Sequence, residues 1–218
     1  MKVVIPFHKN VLAEDYTRPD PSFFHFAHAM LELYRNNPAV MHISGNNYQD
    51  QRILGSGSYS QWARSWGWAT WRRAWKHYCV DISRSKQDWD NLTADLAFRR
   101  DRKCLWFQLL KGCANGTIST WDFQWHYAIM KQRAVCQLPQ VNLVKNIGVG
   151  SAATHTHFHT NTTLTPSYSL KKNSAPSTLN INPMWHEFDF RHAVVNLPYP
   201  RRSLVEKIRY LIWSITSC

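Results

Sequence analysis

Tryptophan limits what this chain can fold into more than any other residue type. There are eleven in 218 residues, and they crowd between Trp62 and Trp125. An indole is large and mostly apolar, so such a run must be buried together or displayed as a ring-stacking surface. Either outcome needs a folded body with a substantial core, and 218 residues suffice for one domain or one and a half. Charged residues make up 18%, below the usual quarter, which argues against a disordered chain.

Within the cluster, Ile118-Ser119-Thr120-Trp121-Asp122-Phe123-Gln124-Trp125-His126-Tyr127-Ala128 sets one carboxylate, Asp122, between two indoles at the predicted first turn of a helix. A carboxylate in an aromatic pocket can keep a raised pKa and take a proton from a sugar hydroxyl. Trp and Tyr faces are also surfaces on which sugar rings stack, so the segment points toward carbohydrate chemistry. It has a structural reading too. Ser119-x-x-Asp122 fits the capping box, with Ser119 as the cap, and Trp121, Trp125, Ala128 and Ile129 follow a core-facing helical stripe. A first-turn acid can serve both roles.

Along the chain, Val3 to Phe7 predicts a short buried strand. Asp20-Pro21 opens a helix, with Asp at the cap and Pro at the first helical position. Phe23, Phe26, Ala27, Met30, Leu33 and Tyr34 carry it to about Tyr34. A strand is expected over Ala39 to Gly45, then a long irregular loop from Asn46 to Ser65, a length usually tied to function. Trp68, Trp71, Trp75 and Tyr78 recur at helical spacing and predict a helix. Another helix or pair covers roughly Asp88 to Leu110, broken between Gly112 and Gly116, with Leu92, Leu96, Leu105, Leu109, Leu110 and Trp106 as core. Val135 to Val144 reads as extended. Alternation over Thr154 to His159 suggests a strand, residues 160–182 a polar loop, and Leu204 to Ile215 a basic amphipathic helix. Glu32 and Asp95 read as solvated helix-face acids; Asp189 reads as a turn or strand-edge residue, with help in closing the site as its other reading. No internal repeat is evident.

The net charge is +12, from 26 Lys and Arg against 14 Asp and Glu. Such a surface favours anions: nucleotide diphosphates, acidic lipid or nucleic acid. No RNA-binding or helix-turn-helix signature accompanies it, so nucleic acid is the rival expectation and not the leading one. Five cysteines without a CxxC pair fit a reducing compartment better than a disulfide framework. No apolar run approaches the length of a membrane span. The expected location is cytoplasmic, with peripheral contact at an anionic inner membrane face.

Several separated blocks then share one pattern. They are Glu14-Asp15 followed by Pro19-x-Pro21-Ser22-Phe23-Phe24; Ile43-Ser44-Gly45-x-Asn47; Trp66-Gly67-Trp68-Ala69-Thr70-Trp71-Arg72-Arg73-Ala74-Trp75; Thr120-Trp121-Asp122-Phe123-Gln124-Trp125; and Pro139-x-x-Asn142-Leu143-Val144-x-Asn146-Ile147-Gly148 with Ala153-Thr154-His155-Thr156. In this the chain resembles the C-terminal two-thirds of a bacterial family of nucleotide-diphospho-sugar glycosyltransferases with a GT-A fold. A similar layout occurs in eukaryotic inverting N-acetylglucosaminyltransferases.

The resemblance implies an α/β (or α+β) fold, an incomplete GT-A domain with a small mixed sheet flanked by helices over residues 1–159. A loop-rich tail over 160–218 would end in the amphipathic helix. It implies hexosyl or N-acetylhexosaminyl transfer in polysaccharide assembly, from a nucleotide-sugar donor to a glycan or lipid-linked acceptor, with inversion. Asp122 would be the catalytic base, and Glu14, Asp15 and Asn47 would bind the donor. Trp66, Trp68, Trp121 and Trp125 would hold the acceptor, and Asp15 and His155 would bind a divalent metal, Mn or Mg.

Two departures stand against a simple transfer of roles. The family's second Asp of Glu-Asp-Asp, the expected metal ligand, falls on Tyr16, and a phenol is a poor ligand at neutral pH. Thirteen residues precede Glu14, where the family has a nucleotide-binding βαβ half. A catalytically inactive truncated homologue and a basic nucleic-acid-binding protein are therefore the competing expectations. His155, His157 and His159 would share a strand face, but without a Cys or acid at ligand spacing they do not make a zinc site.

Overall fold

The computed structural model describes residues 2–4, 9–13, 17–47, 58–83, 88, 92, 100–147 and 189. Strands β1 (Lys2–Val4) and β2 (Lys9–Ala13) precede a short β3 (Thr17–Pro19). Helix α1 (Pro21–Leu33) begins as its sequence predicts. The Asp20 carboxylate accepts the Ser22 N–H at 2.9 Å, and Pro21 fills a position where no amide is needed. Its buried face is Phe23, Phe26, Ala27, Met30 and Leu31.

The far end of α1 leaves carbonyls without helical partners, and one residue block supplies their donors. Trp71 Nε1 donates to the Leu31 carbonyl at 3.0 Å. The Arg73 guanidinium donates to the carbonyls of Tyr34 (2.8 Å) and Arg35 (2.9 Å), and also to Val40 (3.0 Å). The same guanidinium lies 4.2 Å from the centre of the Trp71 ring. The Trp-Arg-Arg block thus fastens α1 to the sheet.

The main sheet has six strands in the order β1-β2-β6-β4-β7-β5, with β4 at Val40–Ser44, β5 at Ser58–Ser60, β6 at Trp68–Trp71 and β7 at Val135–Leu138. Among the described residues only β4 and β7 run parallel, and the other pairings of this sheet are antiparallel. Strand β3 pairs separately with β8 (Val144–Asn146) in a two-stranded ribbon.

The segment expected to be helical from Trp68 is a strand. All four residues of β6 are buried, because one face meets α1 through Trp71 and the other meets the second helical layer through Trp68. A strand covered on both faces loses the polar–apolar alternation that would have identified it. Helical structure is confined to α2 (Arg72–Trp75). The loop expected over Asn46 to Ser65 likewise contains β5, a three-residue edge strand paired only to β7.

Helix α3 (Arg100–Ala114) and helix α4 (Asp122–Lys131) form that second layer. Every residue from Phe123 to Met130 is buried, so α4 is enclosed on all sides. Trp125, Ala128 and Ile129 join the core shared by α1 and the sheet. Phe123, Tyr127 and Met130 join a second core with Trp62, Ile82, Trp106, Leu109 and Leu110. Helix α3 continues through Gly112, where a break was expected, and the turn follows at Gly116 with φ 79°. A Cβ at Gly112 would stand 2.6 Å from Ile118 Cδ1, so a side chain there would make the end of Ile118 shift.

The architecture is a small mixed α/β sheet flanked by helices. Among the described residues no helix is long and apolar enough to cross a membrane. The expected Thr154 to His159 strand, the 160–182 loop, the C-terminal helix and the division at residue 159 lie outside the described residues.

Candidate functional site

The separated sequence blocks meet where β4 ends. Gly45 N–H donates to the Gly67 carbonyl at 2.6 Å, and the Gly45 carbonyl accepts from Leu143 N–H at 2.9 Å. The Leu143 carbonyl in turn accepts from Asp20 N–H at 2.8 Å. This junction has no room for a side chain at position 45. A Cβ there would lie 2.7 Å from the Phe23 ring, 2.7 Å from Val144 Cγ2 and 2.8 Å from the Gly67 carbonyl oxygen. Asn47, an expected donor-binding residue, is buried here. Its amide donates 2.6 Å to the Pro139 carbonyl, and its backbone N–H donates 3.1 Å to Asn142 Oδ1. Asn46 completes the amide cluster by donating to Asn142 Oδ1 and the Val144 carbonyl.

Beside this junction stands a block of stacked rings. Trp68 is sandwiched between His42 (5.2 Å, 17°) and Trp121 (5.2 Å, 21°). Trp75 packs on Trp68 and Trp125 and stacks flat on Tyr78 at 4.4 Å and 6°. Of the four expected acceptor-binding indoles, Trp68 and Trp125 are each 1% exposed and have no face to offer. Trp66 and Trp121 are half-buried and do reach solvent.

Asp122 is half-buried at the start of α4. The helix is capped by Trp121 with no side-chain cap bond, so the capping box expected from Ser119 is absent: Asp122 occupies the first helical position and not the third. The Thr120 hydroxyl donates to one of its carboxylate oxygens. Its charge is felt by two neighbours. Burial, and then Asp122, push the Cys113 thiol up to about 12 and raise the Tyr78 phenol. Both stay protonated at neutral pH.

Behind the rings lies a buried polar knot that sequence reasoning missed. His42 Nδ1 faces the indole N–H of Trp125 at 3.1 Å, and Nε2 faces the backbone N–H of Arg64 at 3.3 Å. A neutral imidazole has a lone pair on one nitrogen only, so the ring accepts one of these donors at a time. His126 Nδ1 faces Ala63 N–H at 3.2 Å. Burial chiefly, with His126 and Arg64 adding to it, lowers His42 to about 3; burial and Arg64 do the same for His126. Arg64 is ion-paired at 2.5 Å with Asp189, both side chains no more than 2% exposed. The turn or edge role expected for Asp189 is thus replaced by a core one. Nothing in the local sequence around Arg64 or Asp189 signals a partner 125 positions away.

Glu14, Asp15, Tyr16 and His155 lie outside the described residues. Among the described residues no three His, Cys, Asp or Glu side chains come together to hold a metal ion. A comparison with protein-family models finds no match, and no curated protein sequence matches the chain.

Proposed function

We propose that the protein is a glycosyltransferase-family domain of GT-A type that transfers a sugar from a nucleotide-diphosphate donor to a glycan or lipid-linked acceptor. The observation that carries the reading is the meeting of motif blocks from far apart in the chain, with one half-exposed acid next to a ring that stacks on them. Blocks at Asp20, Gly45, Gly67 and Leu143 are joined by direct backbone hydrogen bonds, and Trp121, next to Asp122, stacks on Trp68 of the same assembly.

In the proposed reaction Asp122 takes the proton of an acceptor hydroxyl. The hydroxyl oxygen forms a bond to the anomeric carbon as the bond from that carbon to the phosphate oxygen breaks. The electron pair leaves with the nucleoside diphosphate, and in-line attack inverts the anomeric centre. The surplus of basic side chains favours the anionic donor and product. A divalent cation at Asp15 and His155 belongs to the same proposal.

The test is nucleoside diphosphate release from a panel of nucleotide sugars in the presence of glycan acceptors. Wild type is expected to release it, and Asp122→Asn to lose at least a hundredfold in rate while melting within a few degrees of wild type. An Asp122→Asn protein as active as wild type overturns the assignment.

A further inference from the structure

The two-stranded ribbon carries a pairing that works against its own stability. Thr17 lies opposite Asn146, Arg18 opposite Lys145 and Pro19 opposite Val144. Two cations thus stand directly across from each other on one face of an antiparallel pair, with Cβ atoms about 5 Å apart. Like charges so placed are unfavourable, and the ribbon has only three pairs in which to offset them. Among the described residues neither Arg18 nor Lys145 has an ion-pair partner. The described acid nearest in sequence, Asp20, holds the Ser22 N–H and hydroxyl at the cap of α1.

The rest of the ribbon is firmly seated. Val144 and Asn146 are buried on its inner face. Val144 fills the space that Gly45 and Gly67 leave without side chains. The Asp20 N–H bond to the Leu143 carbonyl carries the pairing one step past Pro19. Arg18 and Lys145 form the exposed outer face. The alternation of buried and exposed residues runs one position beyond β8, so Ile147 falls on the same side as Lys145. Ile147 is 54% exposed, an apolar side chain set beside two cations.

We propose that the outer face of this ribbon docks on an anionic phospholipid surface, with Arg18 and Lys145 on lipid phosphates and Ile147 inserted beneath the headgroups. The charges are complementary to a layer of phosphates, and each cation near such a layer strengthens attachment. A phosphate bound between the two side chains also relieves the repulsion that the ribbon otherwise carries. A soluble phosphate would account for the cations and leave the exposed isoleucine without a role. Nucleic acid offers phosphates but no apolar layer beneath them. A lipid interface uses all three side chains, and the contact is of the reversible, peripheral kind. Docking requires nothing of Asp122 and stands apart from the transferase reading.

The test sediments the full chain with vesicles of phosphatidylcholine alone, and with vesicles of equal parts phosphatidylcholine and phosphatidylglycerol. Wild type should bind the mixed vesicles, leave them as salt is raised, and ignore the neutral ones. Lys145→Glu turns the like-charge pair into an opposite-charge pair, so it should melt no lower than wild type. Its vesicle binding should nevertheless fall about thirtyfold, for two units of charge at about fivefold each. Arg18→Gln should weaken binding about fivefold, and Ile147→Asn about tenfold. Lys76→Glu makes the same change of charge just past α2, which follows the end of β6 away from Ser44 and the ribbon. It should stay within about twofold of wild type, since screening confines each charge to its own neighbourhood.

The proposal is overturned if wild type ignores the mixed vesicles, or if Lys145→Glu and Arg18→Gln bind them as wild type does. It is overturned equally if Lys76→Glu weakens binding as much as Lys145→Glu, because net charge would then be the cause. Pyrophosphate that raises the melting temperature of wild type but not of Lys145→Glu, with vesicles ignored, would assign the pair to a soluble phosphate instead. A single-stranded oligonucleotide bound through Lys145 while vesicles are ignored would assign it to nucleic acid.

Discussion

Mild acid should weaken this fold through two histidines. His42 and His126 are buried, and each is lowered to about 3 from an ordinary 6.5. The geometry gives the reason. Protonated His42 would turn an N–H toward both Trp125 N–H and Arg64 N–H, and protonated His126 would turn one toward Ala63 N–H. The buried Arg64 charge adds repulsion. A base whose folded pKa is depressed takes up protons more readily when unfolded, so stability is full above pH 6.5 and falls as pH drops toward 3. At pH 5.5 the unfolded imidazole is protonated about ten to one while the folded one is still neutral, which costs about 1.4 kcal/mol per histidine. Between pH 7.5 and 5.5 the pair should therefore remove about 3 kcal/mol, a large part of the stability of an ordinary domain. Urea unfolding followed by tryptophan fluorescence at each pH measures it by linear extrapolation. His126→Asn keeps an acceptor near the Nδ1 position and should halve the slope. A wild-type profile flat to within 1 kcal/mol over this range refutes the reasoning.

Gly45→Ala should destabilise by about 3 kcal/mol, the upper end for overpacking, because one of its three clashes is with a backbone carbonyl that cannot swing aside; urea unfolding decides, and a loss under 1 kcal/mol would show that the junction yields. Asp189→Asn should cost about 3 kcal/mol by breaking a buried ion pair with Arg64. The exposed Glu32–Arg35 pair is the contrast: Glu32→Gln should move stability by less than about 0.5 kcal/mol. Asp20→Ala should cost about 1 kcal/mol through loss of the α1 cap, read as a melting shift of a few degrees.

Where the sequence carried a local cause, the fold was legible. Helix α1 has its cap, its first-position proline and one apolar face, and it runs over the expected residues. Strand β4, expected over Ala39 to Gly45, spans Val40–Ser44. The Leu109, Leu110 and Trp106 core positions and the Trp125, Ala128 and Ile129 stripe also follow from spacing alone. Strand β6 failed for a reason that spacing cannot repair. Trp68, Trp71 and Trp75 sit at helical intervals, yet Trp68 and Trp71 leave opposite faces of a strand buried on both sides. An apolar residue at every position fits either period.

The candidate site divides along the same line. Motif blocks could be recognised as blocks, and their glycines and asparagines prove to be what lets them touch: Gly45 against Gly67, and Asn46 and Asn47 against Asn142. The polar groups behind them were illegible because each is a lone polar residue in an apolar or irregular stretch whose partner is far off in sequence. His42 lies inside β4 among apolar neighbours, and Arg64 follows β5 in a loop. These buried groups fix the one ring, Trp68, on which Trp121 rests, since His42 covers its opposite face. The position of Asp122 is therefore tied to a neutral His42, and because the folded chain holds that ring neutral down to about pH 3, unfolding should come first on acidification. Fluorescence of the Trp68–Trp121 stack, isolated by comparing wild type with Trp121→Phe, should then change together with global unfolding. A ring-block transition at a higher pH than the unfolding midpoint would mean that His42 takes a proton in the folded chain.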